Sequence, residues 1–466
     1  MPFKNHILFK SLFIFLLIIY NLKAHSKSYT NYSTRIYNRI DTTPLQLKDI
    51  SIFNDTTLTG LFQKLYLLKK GQGGNVTVLH LGDSHVQIGN FPAAIRNIFS
   101  DVWGSTGFGT IFPYQIAGFN NFYVQTKITK GDWEANRYRF EDDKYKFGVM
   151  GYTAKTLSSK ASLEINVRGT APDISAFNRV QLLYGDPSDS YTIMVKGSAG
   201  QNKEAEFIPA TECVENVSNY NMTYWKKQVF CFNGLQNKLE LSVVRKKDTK
   251  NEFNLYGLIL EDTTRKGVVY DICGVDGARF THLCTNASLS IEQITSLNPD
   301  LIIFSFGSNE SYTESFDSLE YQEMIIEYLH SLKTMIPNVS ILLTSPPDTR
   351  YKNMYPRNTS AIQKILKTAA KEEGLAFLDL REQMGGEGSV WKWLSAKLAG
   401  PDKLHFTKEG YTLQANLLMK AFLQSYNKAL PEEDKIPDID LGIYNSSFST
   451  MEPKSSTKFS GNSENK

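Results

Sequence analysis

Several features that mark large protein classes are scarce in this sequence. The 466 residues include only four cysteines, and no Cys-x-x-Cys pair or histidine cluster at metal-ligand spacing occurs, which argues against a zinc site. Lys and Arg number 51 against 48 Asp and Glu, and the lysines at positions 4, 10 and 23 account for the difference. A mature chain near neutrality lacks the positive surface that nucleic acids require. We therefore predict no metal and no nucleic-acid partner, and the sequence gives no evidence of a stable protein partner.

Long apolar runs are absent except for residues 12–20 near the N-terminus. This run follows two lysines and is too short to span a membrane comfortably. Ala24-His25-Ser26 then offers the small residues that a signal peptidase reads. We predict a secretory signal peptide over residues 1–26 and export to the periplasm or the extracellular space. Retention at the membrane by an uncleaved signal is the alternative.

All four cysteines lie beyond this segment. An even number of cysteines in an exported protein suggests disulfides, and four cysteines allow three pairings. The pairing with short loops joins Cys213 to Cys231 and Cys273 to Cys284. We predict that pairing.

The hydrophobic pattern divides the rest of the chain into blocks. Residues 27–113 contain a polar lead-in, then helical and buried-strand patterns. Residues 114–266 change to short alternating segments separated by turn residues, which is typical of an antiparallel β-sandwich. Residues 267–430 again alternate apolar strands with helices, which indicates a parallel sheet with helices on both faces. Residues 431–466 are rich in Ser, Asn and Lys and are predicted to be disordered. The sequence therefore predicts an α/β domain that is interrupted by an inserted β-sandwich.

Ser84 lies between a predicted strand and a predicted helix, in the segment His-Leu-Gly-Asp-Ser-His over residues 80–85. This position is at the carboxyl end of a parallel strand, where α/β proteins place their functional sites. A serine there is either a nucleophile or a helix N-cap, and the segment alone favours neither.

Three later segments supply the other groups that acyl transfer needs. His405 could accept the Ser84 proton, and Asp402, three residues earlier, could orient the imidazole. Asn309 follows an apolar strand in Gly-Ser-Asn-Glu and could donate its amide to an oxyanion. Gly277 could add a backbone N–H. Each segment alone also fits an ordinary cap or turn, but they occur together, each beside a predicted strand or helix end.

In this order, Ser, Gly, Asn and Asp-x-x-His resemble the motifs of the SGNH/GDSL hydrolases. The resemblance implies a flavodoxin-like three-layer α/β/α fold. It implies Ser84 as nucleophile and first oxyanion donor, Gly277 and Asn309 as further donors, and Asp402 and His405 as the rest of a triad. Asp83, His85 and Glu310 would support the site, with Glu310 orienting the Asn309 loop. His85 and Glu310 depart from the usual Leu and Asp of the family motifs.

Further matching segments, chiefly 107–114, 257–270, 385–391 and 401–411, resemble the bacterial peptidoglycan O-acetylesterases. In that group a β-sandwich similar to a carbohydrate-binding module is inserted into the hydrolase. The resemblance implies hydrolysis of O-acetyl esters on a polysaccharide, with no cofactor. An O-acetyltransferase using the same site and a non-catalytic glycan-binding protein are the alternatives. Trp133 and Trp225 of the inserted block could stack on sugars or pack in the core.

Overall fold

The structure is a computed structural model. It describes residues 37–119, 121, 123–140, 144–168, 172–185, 189–198, 208–212, 225–246, 251–351, 354, 356–441 and 443–445.

The strands are β1 (Tyr37–Arg39), β2 (Val76–Gly82), β3 (Gly109–Ile111), β4 (Val124–Lys130), β5 (Glu134–Arg137), β6 (Tyr152–Thr156), β7 (Lys160–Val167), β8 (Phe177–Gly185), β9 (Tyr191–Ser198), β10 (Ile208–Pro209), β11 (Thr211–Glu212), β12 (Lys226–Gln236), β13 (Lys238–Arg245), β14 (Phe253–Glu261), β15 (Val268–Gly274), β16 (Leu301–Ser305), β17 (Ser340–Thr344), β18 (Ala376–Leu378) and β19 (Ile443–Asn445).

The α-helices are α1 (Thr59–Lys69), α2 (Ser84–Gln87), α3 (Asn90–Trp103), α4 (Pro172–Ser175), α5 (Phe280–Thr285), α6 (Ala287–Leu297), α7 (Ser318–Met335), α8 (Thr359–Glu372), α9 (Leu380–Gln383), α10 (Ser389–Ser395) and α11 (Lys408–Asn427).

A parallel sheet of five strands carries the α/β part, in the order β15-β2-β16-β17-β18. Counted along the chain this is the order 2-1-3-4-5, the flavodoxin-like arrangement that the sequence predicts. The strands are apolar on both faces: β17 is buried throughout, and in β2 only Thr77 is partly exposed. Such strands are stable only between two covering layers.

The helices supply those layers in two groups. Helices α1, α3, α9 and α11 pack among themselves, and helices α5 to α8 form a second packed group. The helices of these groups bury apolar faces. In α8 this face includes Ile362, Leu366 and Ala369. The result is the three-layer α/β/α architecture.

Two antiparallel sheets form the inserted block, in the orders β10-β9-β13-β7-β4 and β11-β12-β8-β14-β6-β5. Strand β7 alternates buried and partly exposed residues, which is the pattern of a sheet with one face in a core. Trp133 and Trp225 are both buried, and the Trp225 indole donates to Glu292 at 2.9 Å. These two tryptophans therefore pack inside the protein and offer no exposed sugar-stacking face.

The inserted block is tied to the parallel sheet at its first strand. Strand β3 pairs with β14 and begins at Gly109, ahead of the predicted boundary at residue 114. The Thr110 N–H donates to Asp271 of β15 at 2.7 Å, and the Thr110 hydroxyl donates to the Ile272 carbonyl at 3.1 Å. Residues 42–441 accordingly form one compact unit.

The chain ends form a separate unit, in which β1 and β19 pair antiparallel. The signal peptide predicted over residues 1–26 lies outside the described residues. Within the segment predicted to be disordered, the structure describes 431–441 and 443–445, which include a 3-10 turn at Glu432–Asp434 and strand β19. Among the helices that the structure describes, none has the length and apolar character needed to cross a membrane.

The prediction of a disulfide between Cys273 and Cys284 is wrong, because both are free thiols. The Cys273 sulfur is enclosed by Thr110, at 3.8 Å, and Met150, at 3.3 Å, whereas Cys284 lies on α5. Burial raises the pKa of the Cys284 thiol to about 12, which makes it a poor nucleophile. Cys231 is disulfide-bonded, and Cys213, its predicted partner, lies outside the described residues.

Candidate active site

Three loops that carry predicted site residues leave the same edge of the parallel sheet. Strand β2 leads to Ser84, β15 leads to Gly277 and β16 leads to Asn309. These strands are neighbours, and Gly82 at the end of β2 is paired with both Gly274 and Ser305. Because the carboxyl ends of parallel strands meet at one edge, the sheet itself brings the three loops together.

The turn that carries Ser84 is held in place by the carboxylate that caps the next helix. Asp83 is the N-cap of α2, and its Oδ1 accepts the His85 N–H at 2.9 Å. The turn lies directly against the next loop, since a Cβ added to Gly274 would be 2.2 Å from the Gln87 nitrogen. Glycine at 274 is therefore what allows α2 and the end of β15 to approach.

Ser84, His405 and Asp402 form a continuous hydrogen-bonded chain. The Ser84 hydroxyl is 3.1 Å from His405 Nε2, and His405 Nδ1 is 2.8 Å from Asp402 Oδ2. Burial by itself would raise the pKa of Asp402, but its hydrogen bonds to the His405 ring and to the backbone lower that pKa to about 2. Asp402 is therefore an anion that can hold the ring with its proton on Nδ1, which leaves Nε2 free to accept the serine proton.

The loop that carries the histidine is fixed at both ends. Asp402 Oδ1 accepts the N–H groups of Leu404, at 3.1 Å, and His405, at 3.0 Å. The His405 carbonyl accepts the Gly400 N–H at 2.7 Å. Helix α11 begins three residues later, with Thr407 as its N-cap. The Asp-x-x-His spacing thus lets one carboxylate close the turn and orient the ring.

The predicted oxyanion donors lie on loops that are bonded to each other. Asn309 Nδ2 donates to the Ala278 carbonyl at 2.8 Å, which fixes the turn that contains Gly277 beside Asn309. An amide group has two N–H donors, so one remains available to a ligand. Gly277 has a φ of +70°, a conformation that favours glycine. Ser84 is the first residue of α2, so its N–H has no acceptor within the helix.

Glu310 joins the same two loops through a buried carboxylate. Its Oε1 accepts the Phe280 N–H at 2.6 Å at the start of α5, and the Tyr321 hydroxyl at 3.3 Å. Burial raises the pKa of Glu310, although these hydrogen bonds oppose the shift. Glu310 therefore ties the Asn309 loop to α5, the helix that follows the turn of Gly277. This agrees with an orienting role.

His85 lies beside His405 and is held by Tyr411. Its Nδ1 is 2.9 Å from the Tyr411 hydroxyl of α11, and its ring centroid is 5.5 Å from that of His405. Burial, and then the neighbouring His405, lower the pKa of His85 to about 3, so this imidazole is neutral. Burial, and then the charge of Glu310, raise the pKa of Asp83 to about 7.

Sequence reasoning missed the residues that the inserted block brings to the site. A Cβ added to Gly277 would be 2.3 Å from Arg139 Nη1, so this guanidinium lies against the Gly277 turn. Arg139 is 138 positions before Gly277 in sequence, and no local motif marks it. Tyr411 was inside a matched segment, but its contact with His85 depends on how α11 packs. Among the described residues, no group of three or more His, Cys, Asp or Glu side chains is arranged to hold a metal ion.

Comparison with known proteins identifies a family segment in this chain. The family model of the GDSL-like lipases/acylhydrolases matches residues 249–413. That segment includes Gly277, Asn309, Asp402 and His405, and most of the inserted block lies between it and Ser84. No curated protein sequence matches the chain.

Several solved structures are similar to this chain in fold. A peptidoglycan O-acetylesterase structure is 19% identical and covers 79% of this chain and 97% of its own, with a TM-score of 0.62. An acetylxylan esterase from Geobacillus stearothermophilus is 19% identical over 35% of this chain and 74% of its own, with a TM-score of 0.28. A family two carbohydrate esterase from Cellvibrio japonicus is 11% identical over 65% of this chain and 98% of its own, with a TM-score of 0.27.

The likeness to the peptidoglycan O-acetylesterase structure establishes the fold, because it extends over most of the chain. The family match over residues 249–413 supports ester hydrolysis. Residues 249–413 thus match the GDSL-like lipase/acylhydrolase family, the chain has an SGNH-hydrolase fold, and these findings support a carboxylic ester hydrolase.

Proposed function

We propose that this protein is a serine esterase that removes O-acetyl groups from a polysaccharide, with peptidoglycan as the favoured substrate. The observation that carries the proposal is the hydrogen-bonded chain from Ser84 through His405 to Asp402. A serine with a base on its hydroxyl and a carboxylate behind the base can form an acyl-enzyme.

Ser84 attacks the acetyl carbonyl while His405 Nε2 takes the hydroxyl proton. The carbonyl oxygen becomes an oxyanion, which the Ser84 N–H, the Gly277 N–H and the second amide N–H of Asn309 stabilise. His405 then gives its proton to the leaving sugar oxygen, and the acetyl group stays on Ser84. Water gives a proton to the same imidazole and attacks the acetyl-enzyme, and His405 returns that proton to the Ser84 oxygen as acetate leaves.

The choice of substrate is supported by two observations. The likeness to a peptidoglycan O-acetylesterase extends over 97% of that chain, so it includes the inserted block as well as the hydrolase. The Ser84 side chain is only slightly exposed, at 7%, which suits a short acyl group better than a long lipid chain. A substrate of the cell wall also agrees with export, which we propose from the segment at residues 1–26.

Acetate release from O-acetylated peptidoglycan, compared with acetylated xylan and a chromogenic acetate ester, tests the proposal. We expect the highest kcat/KM on peptidoglycan, and we expect Ser84→Ala to abolish turnover of all three. Ser425→Ala is the matched control, because that serine is also buried, at 4% exposure, but lies in the last turn of α11 and donates a hydrogen bond to Asp55. Turnover that survives in Ser84→Ala would refute the serine mechanism, and a preference for acetylated xylan would refute the substrate.

A further inference from the structure

The inserted block contributes a turn to the rim of the active site. Residues 137–140 form a tight turn after β5, closed by a hydrogen bond from the Phe140 N–H to the Arg137 carbonyl at 3.0 Å. This turn carries Arg139 to the Gly277 turn of the hydrolase. Only the absence of a side chain at Gly277 lets the guanidinium lie against that backbone.

Two arginines of this turn have different surroundings. Arg137 is 12% exposed and lies over the rings of Phe119, at 4.4 Å, and Phe140, at 5.0 Å. Its guanidinium is also 3.5 Å from the Asp276 carboxylate. Arg137 therefore packs on the two rings and holds that carboxylate in position. Arg139 is 41% exposed, and its guanidinium reaches the same Asp276 at 3.4 Å. Arg137 is therefore the structural residue, and Arg139 is the one that faces solvent.

Within the part of the chain that the structure describes, the polar contacts of Arg139 leave most of its donors unused. The contact with Asp276 is long, involves one nitrogen and is shared with Arg137. A guanidinium has five N–H donors in a planar fork, which matches the two oxygens of a carboxylate. Arg279 is also exposed and follows Gly277 by two residues, so the described rim has three arginines and one aspartate on this side of the site.

We propose that Arg139 determines specificity by binding a carboxylate of the substrate while the acetyl group is at Ser84. The substrate class is then an acetylated glycan with a free carboxylate close to the ester, which in peptidoglycan means a muramic acid residue whose peptide has been removed. This inference rests on the proposed function, because it assigns a substrate feature to the same site. It also gives the inserted block a role in specificity that does not depend on an exposed aromatic surface.

A pair of substrates that differ only in the carboxylate tests the proposal. We would measure kcat and KM with 6-O-acetyl-N-acetylmuramic acid, which carries a lactyl carboxylate, and with 6-O-acetyl-N-acetylglucosamine, which does not. The proteins are the wild type, Arg139→Gln, Arg139→Lys and the control Lys371→Gln. Lys371 is exposed in the last turn of α8, which precedes β18 and so lies at the opposite edge of the sheet.

We expect the wild type to prefer the acidic ester about fivefold in kcat/KM, mainly through KM, since a partly exposed ion pair contributes little more. Added salt should reduce this preference. In Arg139→Gln the preference should be lost, because kcat/KM should fall more on the acidic ester than on the neutral one. Arg139→Lys should retain part of it, and Lys371→Gln all of it.

Three results would overturn the proposal. The first is a wild type with equal kcat/KM on the two esters. Three acidic residues at 141–143, outside the described residues, follow the turn, and their negative charge opposes the binding of a carboxylate. The second is an equal loss on both esters in Arg139→Gln with unchanged thermal stability, which would place Arg139 in oxyanion stabilisation. The third is an equal loss with lowered stability, which would make it structural. A wild type inert on both sugars and on a chromogenic acetate would instead refute the esterase proposal itself.

Discussion

Replacing Asp402 with Asn tests how Asp402 orients His405, because Ser84 and the imidazole themselves are unchanged. In the native site Oδ1 of Asp402 accepts two backbone N–H groups and Oδ2 faces His405 Nδ1 at 2.8 Å. In Asp402→Asn the two N–H groups select the amide oxygen, so the amide NH2 takes the place of Oδ2. An NH2 group cannot accept a hydrogen bond. The imidazole must then carry its proton on Nε2, where it faces Ser84 as a donor and cannot act as a base.

The expected loss is large for activity and small for stability. A histidine held in the wrong tautomer lowers kcat by about 10⁴-fold near neutral pH, or about 5.5 kcal/mol in the activation free energy. The amide keeps both backbone hydrogen bonds, so the free energy of unfolding should change little. Asp402→Ala loses these two bonds, and we expect it to be less stable by about 1 to 2 kcal/mol, toward the lower figure because Asp402 is 45% exposed.

The assay is kcat on a chromogenic acetate ester, with urea unfolding of the same preparations. Because the pKa of Asp402 is about 2, this carboxylate is ionised throughout the range from about pH 6 to 8, so protonation of Asp402 cannot account for the loss there. A loss of less than about tenfold would refute the tautomer argument. Equal urea midpoints for Asp402→Ala and Asp402→Asn would refute the role of Oδ1 in closing the loop.

Three further predictions test residues around the site. Thiol titration of denatured, unreduced protein should find two reactive groups, Cys273 and Cys284, and a result of zero would mean that they are bonded after all. His85→Leu and Tyr411→Phe should each cost about 1 to 3 kcal/mol in urea unfolding, because each leaves a buried partner unpaired. The double variant should cost less than the sum, and strict additivity would contradict the contact. Burial raises the pKa of Asp83 to about 7, above its value in the unfolded chain, so the native state binds this proton more tightly and stability falls as pH rises from about 4 to about 7. Asp83→Asn should reduce that fall, and unfolding free energies with the same pH slope as the wild type would show that Asp83 does not cause it.

The sequence was sufficient for those features that depend on local pattern. Apolar runs and glycines predict the parallel strands, and the order of strands then brings Ser84, Gly277 and Asn309 to one edge. Asp402 and His405 are three residues apart, so their pairing was also a local matter. The chemical roles of these five residues remain predictions that the kinetic experiments test.

Features that depend on the packing of distant segments could not be predicted. Cys273 and Cys284 are close in sequence, but Met150 and Thr110 from the inserted block enclose the Cys273 thiol. Arg139 reaches the Gly277 turn only because the inserted block docks on the hydrolase. Trp225 is buried against Glu292, which no pattern in its own segment indicates.

Strand β2 also has a consequence for biosynthesis. Both of its partners come much later in the chain, since Val76 pairs with Val268 and Val78 pairs with Leu301. Ribosomes add about 5 to 20 residues per second, so the roughly 190 residues between β2 and β15 take about 10 to 40 s to make. Throughout that interval the segment that carries the nucleophile is an apolar strand without neighbours. The central sheet can assemble only after the whole sandwich has been synthesised, and the nascent chain needs protection from aggregation until then.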